Sequence, residues 1–209
     1  MNIGVLFDLD GVLIDTESLY TQFWSEINNT YPTGVDNFAY KIKGSNLERI
    51  LTTYYPDTDS QKEILNALNK FEEEIQYRIF PGVIKFLSDL KNRGIPTALV
   101  TSSDIEKMRK LYNQHPSFKN YFDSIITGDM VSKSKPNPEC FFKGASQIGI
   151  PTTNCYVFED SPSGIKAGLD CGAKVIALAT TLLRQDIDNS VAAIIDSFVD
   201  FDVEKMLLI

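Results

Sequence analysis

Four acidic residues closely follow short apolar runs of the sequence, near the points where buried strands would end. They are Asp8, Asp10, Glu159 and Asp160. Carboxylates gathered in one place repel one another unless a cation neutralises them. Oxygen atoms are the ligands that Mg²⁺ prefers, and a magnesium site with a lysine nearby suits a phosphate group. These four residues therefore predict phosphate chemistry that Mg²⁺ assists.

A threonine, a serine and a lysine could supply further phosphate contacts. Thr101 and Ser102 follow another apolar run, and Lys135 lies in loop 133–138, which Pro136 and Pro138 stiffen. Taken alone, the threonine could cap the next helix and the lysine could be a solvated surface charge. Their occurrence with the four carboxylates, in a fixed order along the chain, favours one shared phosphate site.

The apolar runs are typical of strands that are buried on both faces of a parallel sheet. The predicted strands are residues 3–7, 95–100, 124–127, 155–158, 174–179 and 193–195. Helical spacing of apolar residues predicts a helix over residues 83–92, and Ser161 followed by Pro162 is a typical helix start. The pattern predicts a doubly wound α/β fold, in which ligands bind beyond the carboxyl ends of the strands.

The segment from residue 16 to residue 79 has a different pattern, because it lacks strand-like runs. Its apolar residues recur at helical spacing, for example Leu19, Phe23 and Ile27. We predict that 16–79 is a helical insert, and that residues 1–15 and 80–209 together form the sheet domain.

Four segments carry a resemblance to a known family. They are FDLDGVLIDT (7–16), VTSS (100–103), SKP (134–136) and FEDSPSGIKAG (158–168). In order and spacing they resemble the four motifs of the haloacid dehalogenase-type phosphatases. The subgroup of β-phosphoglucomutase and small sugar-phosphate phosphatases is most similar, since its helical cap is inserted just after the first motif. The resemblance implies a Rossmann-like core with an all-helical cap domain.

The resemblance also implies roles for the carboxylates. Asp8 would attack phosphorus and form an aspartyl-phosphate, while Asp10 would protonate the leaving oxygen and then deprotonate the attacking water. Mg²⁺ would be held by the Asp8 carboxylate, the backbone carbonyl of Asp10 and Asp160. Glu159 would be a further ligand or a support for the ligands.

The same resemblance assigns the phosphate contacts and the activity. The Thr101 hydroxyl and the Ser102 backbone N–H would bind the transferring phosphoryl oxygens, and Lys135 would neutralise their charge and steady Asp8. The implied activity is a Mg²⁺-dependent phosphomonoesterase for a small phosphorylated metabolite such as a sugar phosphate. A β-phosphoglucomutase-like isomerase and a non-catalytic phosphometabolite-binding protein are the alternatives, and the presence of both Asp8 and Asp10 argues against the second.

Within the insert, one loop resembles the substrate-facing loop of the cap. Its residues are Lys43, Gly44, Ser45 and Asn46. Mutases carry an arginine after the loop glycine and a histidine after the first motif, whereas this chain has Leu47 and Tyr20 at those places. Arg49 could replace the arginine only if the loop is remodelled. Both differences favour a phosphatase, which does not need to hold a bisphosphate at both ends.

Composition limits the class of partner. A net charge of −8 argues against a nucleic-acid or anionic-membrane binder, because these need a basic surface. The apolar N-terminal stretch is interrupted by aspartates, so we expect no signal or membrane segment. The three cysteines lack disulfide or zinc spacing, which favours a reducing compartment. We therefore expect a cytoplasmic monomer.

Overall fold

A computed structural model of the protein describes residues 2–42 and 47–209, apart from the side chain of Glu48. By contacts within the chain, these residues divide into two compact units. The first unit combines the residues up to Asp15 with Tyr77–Ile209, and the second is Thr16–Gln76. We call them the sheet unit and the helical unit. The use of the helical unit as a cap stays a prediction.

The sheet unit is built on six parallel strands. They are Gly4–Phe7 (β1), Thr97–Val100 (β4), Ser124–Ile126 (β5), Cys155–Glu159 (β6), Lys174–Leu178 (β7) and Ala193–Ile195 (β8). Their order across the sheet is β5-β4-β1-β6-β7-β8, so the first strand lies in the middle. With helices on its flanks, this sheet confirms the predicted doubly wound α/β fold.

Five α-helices of the described chain belong to the sheet unit. They are Val83–Asn92 (α5), Ile105–Gln114 (α6), Glu139–Gln147 (α7), Pro162–Asp170 (α8) and Val203–Leu207 (α9). The predicted helix over 83–92 is confirmed, and its apolar positions are buried. The predicted start at Ser161 is confirmed too, because the Ser161 hydroxyl accepts a hydrogen bond of 3.1 Å from the Gly164 N–H.

Apolar packing on both faces of β1 fixes the position at which this strand ends in the sheet. On one face Phe7 stacks on Phe158 with ring centroids 4.9 Å apart, and Phe86 meets Phe7 edge to face. On the other face Leu6 is buried in a cluster that includes Phe141. Burying one such side chain contributes about 1.5–3 kcal/mol. The residue after Phe7 is therefore held at a defined edge of the sheet.

A second, two-stranded sheet lies where the chain leaves and re-enters the sheet unit. Ile14–Asp15 (β2) pairs with Arg78–Ile79 (β3) in the antiparallel sense. Sequence reasoning missed both strands, because two residues are too few to carry an alternating pattern.

The helical unit contains Glu17–Thr30 (α1), Phe38–Lys41 (α2), Leu47–Tyr54 (α3) and Thr58–Glu74 (α4). Its core combines aliphatic and aromatic side chains: Phe23 stacks on Phe71 at 4.8 Å, and Phe38 contacts both Trp24 and Tyr55 edge to face. Across the described residues of the whole chain, no helix is both long and apolar enough to span a membrane.

Candidate active site

The central position of β1 brings the sequence-predicted residues to one edge of the sheet. Phe7, the last residue of β1, pairs with Leu99 of β4 and with Phe158 of β6. The next residue, Asp8, donates its backbone N–H to the Phe158 carbonyl at 3.0 Å. Because the three strands are parallel, the residues that follow them meet at the same edge. Asp8 consequently lies beside Glu159.

Lys135, in the loop before α7, contacts both Asp8 and Glu159. Its Nζ lies 2.5 Å from Asp8 Oδ1, 2.7 Å from Glu159 Oε1 and 3.2 Å from the Val100 carbonyl. The side chain is only 6% exposed. Burial opposes its charge, but Asp8 and Glu159 overcome this and raise the pKa of Lys135. Lys135 is therefore a permanent cation at the centre of the site.

Three buried carboxylates could hold a metal ion. Ligand oxygens of Asp8, Glu159 and Asp160 all lie within 4.8 Å of one another. Burial, the largest cause, raises the pKa of Asp8 to about 7, and Lys135 opposes this shift only in part. Burial and the charges of Glu159 and Asp8 likewise raise the pKa of Asp160. Excess buried negative charge of this kind fits a divalent cation with oxygen ligands.

Within this cluster, Glu159 is already committed to other partners. Its Oε1 accepts from Lys135, and its Oε2 accepts from the backbone N–H groups of Asp160 at 2.9 Å and Ser161 at 3.1 Å. A Cβ at Gly164 would lie 1.7 Å from Oε1, so only glycine lets α8 approach this carboxylate. Of the two roles predicted for Glu159, these contacts favour support of the ligands.

Asp160 has a partner that sequence reasoning missed. The Thr181 hydroxyl donates to Asp160 Oδ2, and the neighbouring Thr180 hydroxyl donates to the Gly11 carbonyl at 2.5 Å. Gly11 has φ of +76°, and a Cβ there would lie 1.9 Å from Asp160 Oδ2. Both threonines come shortly after the predicted strand 174–179. Their position at the end of a predicted strand is a signal that could have identified them.

Asp10 is not one of the three clustered carboxylates, although its charge contributes to the raised pKa of Asp8. Its Oδ1 accepts from Lys107 Nζ at 2.6 Å, and its Oδ2 accepts from the Ser103 hydroxyl at 2.8 Å. Ser103 belongs to the VTSS segment, but the sequence predicted no role for it, and it predicted none for Lys107. The expectation that the Asp10 carbonyl binds the metal stays a prediction.

The predicted phosphate-binding residues line one cavity of about 140 Å³. Thr101, Ser102, Ser134 and Lys135 contribute to its wall. Thr101 is buried, and its hydroxyl oxygen accepts from the Ser103 N–H at 2.9 Å, which leaves the hydroxyl hydrogen available for donation. The structure thus brings Thr101, Ser102 and Lys135 together. Their contact with phosphate stays a prediction.

The predicted substrate loop, Lys43, Gly44, Ser45 and Asn46, lies outside the described residues. Two residues that distinguish the chain from mutases, Tyr20 and Leu47, line a cavity of about 250 Å³ within the helical unit, together with Trp24. The Tyr20 hydroxyl donates to Glu72 at 3.0 Å. Arg49 is exposed on α3.

Comparison with known proteins agrees with this geometry. The sheet carries an aspartate, a lysine and further carboxylates at one edge. Residues 5–178 match the family described as haloacid dehalogenase-like hydrolase, and the chain belongs to it.

Two relatives carry names of phosphatases. The chain is 30% identical to the phosphorylated carbohydrates phosphatase of Thermotoga maritima, over 83% of each sequence. It is also 30% identical to the bifunctional riboflavin kinase/FMN phosphatase of Arabidopsis thaliana, with 96% of this chain and 55% of that protein aligned. The chain thus spans about half the length of the Arabidopsis protein.

A crystal structure of a HAD hydrolase, family IA, variant 3, from Entamoeba histolytica superposes with a TM-score of 0.81. It is 26% identical in sequence, and the match covers 98% of this chain and 97% of that one. The chain is therefore an enzyme of this hydrolase family.

Proposed function

We propose that the chain is a Mg²⁺-dependent phosphatase that releases phosphate from a small phosphorylated metabolite, a sugar phosphate, through an aspartyl-phosphate at Asp8. The observation that carries the proposal is the position of Asp8, whose carboxylate lies 2.5 Å from Lys135 and within one cluster with Glu159 and Asp160. A carboxylate held in place beside a buried cation is suited to attack an anionic phosphoryl group.

In the first step, an Asp8 carboxylate oxygen forms a bond to phosphorus and the bond from phosphorus to the leaving oxygen breaks. Asp10 gives a proton to that oxygen, so the product leaves as an alcohol. The Thr101 hydroxyl and the Ser102 N–H bind phosphoryl oxygens, and Lys135 offsets their charge. Lys135 must then turn at least one of its three N–H groups from a protein acceptor to the substrate.

In the second step, water attacks the phosphorus of the aspartyl-phosphate and gives a proton to Asp10. The bond between phosphorus and Asp8 breaks, which restores the carboxylate and releases inorganic phosphate. Asp10 ends with the proton that it lost in the first step, so the cycle balances.

Carboxylates of Asp8 and Asp160, with the backbone carbonyl of Asp10, would hold Mg²⁺. When bound, the ion supplies positive charge to the phosphoryl oxygens and to these carboxylates. Glu159 holds Lys135 in place and accepts from the backbone at the start of α8, so it keeps Asp160 oriented.

The substrate assignment rests on relatives and on the helical unit. One relative is named for phosphorylated carbohydrates and another for FMN, so membership of the family does not determine the substrate. We propose that the helical unit, Thr16–Gln76, contributes to this choice as a cap. Leu47 stands where mutases carry an arginine for the second phosphate, and Tyr20 stands where they carry a histidine. Both differences favour water as the acceptor.

Partner and compartment follow from surface charge and thiols. The acidic chain is suited to a small metabolite that is recognised locally, and not to nucleic acid or anionic membrane. All three cysteines are buried free thiols, which fits a reducing cytoplasm. We propose that the enzyme acts there as a monomer.

The test is phosphate release from a panel of sugar, polyol and nucleotide monophosphates with Mg²⁺ present. We expect release that stops with EDTA and with Asp8→Asn, while the matched exposed variant Asp186→Asn keeps wild-type turnover. After rapid acid quenching, intact-mass analysis should find one added phosphoryl group on the wild type and none on Asp8→Asn. Full activity of Asp8→Asn would refute the nucleophile assignment.

A parallel assay distinguishes the isomerase alternative. β-Glucose 1-phosphate is supplied with its bisphosphate activator, and both phosphate and glucose 6-phosphate are measured. The proposed phosphatase should release inorganic phosphate. Isomerisation without phosphate release would overturn it.

A further inference from the structure

The carboxylate of Asp10 is held by two side chains from the segment that follows β4. Lys107 Nζ lies 2.6 Å from Oδ1, and the Ser103 hydroxyl lies 2.8 Å from Oδ2. One oxygen therefore takes a charged donor and the other takes a neutral donor. Two contacts on different oxygens fix the plane of a carboxylate, which a single contact leaves free to rotate.

We propose that Lys107 and Ser103 are positioning residues that set the orientation of Asp10 for proton transfer to the leaving group. This inference rests on the acid/base role of Asp10 in the proposed function. Proton transfer requires the acid to lie within hydrogen-bond reach of the leaving oxygen, and small displacements of a catalytic group cost large factors in rate.

Lys107 can position another residue because its own backbone is fixed. It is the third residue of α6, where the Asp104 carboxylate caps the helix by accepting the Lys107 N–H at 2.8 Å. The Ile105 N–H donates to Asp129 at 2.9 Å, which holds the start of the helix from a second side. The Lys107 side chain is 23% exposed, so much of its stem is buried.

Ser103 is anchored in the same way. Its N–H donates to the Thr101 hydroxyl oxygen at 2.9 Å, and its carbonyl accepts from the Gly128 N–H at 2.9 Å. A Cβ at Gly128 would lie 2.5 Å from the Ser102 carbonyl oxygen, so glycine permits this close backbone approach. The loop that carries Ser103 is thereby fixed to the ends of β4 and β5.

The two aspartates of the first motif are served by two different lysines. The three N–H groups of Lys135 have acceptors on Asp8, Glu159 and Val100. An ammonium group has only three donors, so Lys135 has none left for Asp10. Lys107 supplies the positive charge there. Loss of Lys107 should consequently affect the proton transfers by Asp10 and spare the nucleophile.

Leaving groups of different acidity test this division. Phenyl phosphate and p-nitrophenyl phosphate have similar shapes, but only phenolate is basic enough to depend strongly on protonation as it leaves. We compare kcat/KM, because it reports only the steps up to departure of the leaving group and not the later attack of water. For Lys107→Met we expect kcat/KM with phenyl phosphate to fall roughly tenfold and kcat/KM with p-nitrophenyl phosphate to change less than about twofold.

Two further variants serve as controls for Lys107→Met. Lys107→Arg keeps the charge and should recover most of the loss. Arg109→Met removes an exposed charge from the same helix and should behave as wild type. Equal losses of kcat/KM for Lys107→Met on both substrates, or no loss on either, would overturn the proposal. Thermal unfolding of each variant shows whether the fold is kept.

Ser103 is tested by the same substrate pair. Ser103→Ala should lower kcat/KM with phenyl phosphate about threefold to tenfold, because a neutral hydrogen bond is lost, and Ser103→Thr should restore kcat/KM because it keeps the hydroxyl. Failure of Ser103→Thr to recover activity while the fold is kept would count against an orienting hydroxyl.

A double-mutant cycle separates this inference from the proposed function. In an Asp10→Asn background, Lys107→Met should cause no further loss, because both changes act through one group. An additive loss would mean that Lys107 acts elsewhere. If Asp10→Asn itself slows both substrates equally, the acid role of Asp10 fails. If Asp10→Asn discriminates between them and Lys107→Met does not, only the present inference fails.

Discussion

The sheet unit and the helical unit differ in what they bury. In the part of the chain that the structure describes, all three buried carboxylates, Asp8, Glu159 and Asp160, lie in the sheet unit, together with the Lys135 side chain. The helical unit buries aromatic and aliphatic side chains, with Thr16 as its buried polar residue among those described. Buried charge raises the energy of the folded state unless it is paired. The residues proposed for the chemistry and the buried charges that can destabilise the fold therefore lie in the same unit.

The largest expected effect comes from removing the cation that the buried carboxylates share. Lys135→Met should lower the free energy of unfolding by about 3–5 kcal/mol, because Asp8 and Glu159 lose their partner. Urea unfolding measures this, and phosphate release should be lost as well. Lys133→Met, an exposed lysine of the same loop, is the control and should change neither quantity. Wild-type stability of Lys135→Met would break the comparison.

Asp10→Asn should affect rate and leave stability unchanged. We expect turnover to fall by about 100-fold or more, since general acid–base catalysis is worth this much. A factor of 100 corresponds to about 2.7 kcal/mol of activation free energy. Mg²⁺ affinity, measured by calorimetry, should stay close to wild type because the carbonyl is kept. A turnover equal to wild type would remove the acid/base role.

Asp160→Asn should make the metal-free protein more stable. When folding raises the pKa of a carboxyl group, the protein loses stability as pH rises above the ordinary pKa of that group. Burial raises the pKa of Asp160 above its ordinary value of 3.8. In EDTA the variant should gain roughly 1 kcal/mol at about pH 8 and less at about pH 5. The stabilisation that Mg²⁺ gives to wild type should disappear. Thermal unfolding at both pH values checks this, and a gain that is larger at low pH would contradict it.

The smallest effect is expected in the helical unit. Tyr20→Phe removes the hydrogen bond to Glu72 and should cost about 1 kcal/mol of stability or less. Turnover of p-nitrophenyl phosphate should stay within about twofold of wild type, because the buried charges of the sheet unit are untouched. Steady-state kinetics measures it. A loss as large as that of Asp10→Asn would show that the chemical step depends on this side chain.

Much of the sheet unit could be predicted because its strands are continuous apolar runs. Their ends gave the positions of Asp8, Glu159 and Asp160, and the structure brings these together with Lys135. The apolar pattern of a strand indicates its register and its end, and therefore where the backbone of the next residue lies.

Side-chain partners were less accessible to sequence reasoning. Lys107 and Thr181 reach Asp10 and Asp160 from segments far away in the chain, and nothing local to those segments indicates where the side chains point. Strand ends could have drawn attention to Thr181, whereas Lys107 lies inside a helix among other charged residues. Pairings of this kind depend on tertiary packing, which a one-dimensional pattern does not specify.

The small β2–β3 sheet bears on how such enzymes change their inserts. Asp15 and Arg78 are directly paired, so the chain leaves the sheet unit and returns to it at neighbouring positions of one antiparallel ladder. A tight turn of two residues is enough to join strands that end side by side. The entire segment between them could therefore be exchanged for another, or for a short Asn-Gly hairpin loop, without breaking a strand of the six-stranded sheet. The ladder is therefore a position at which the inserted segment can be replaced while the six-stranded sheet is kept.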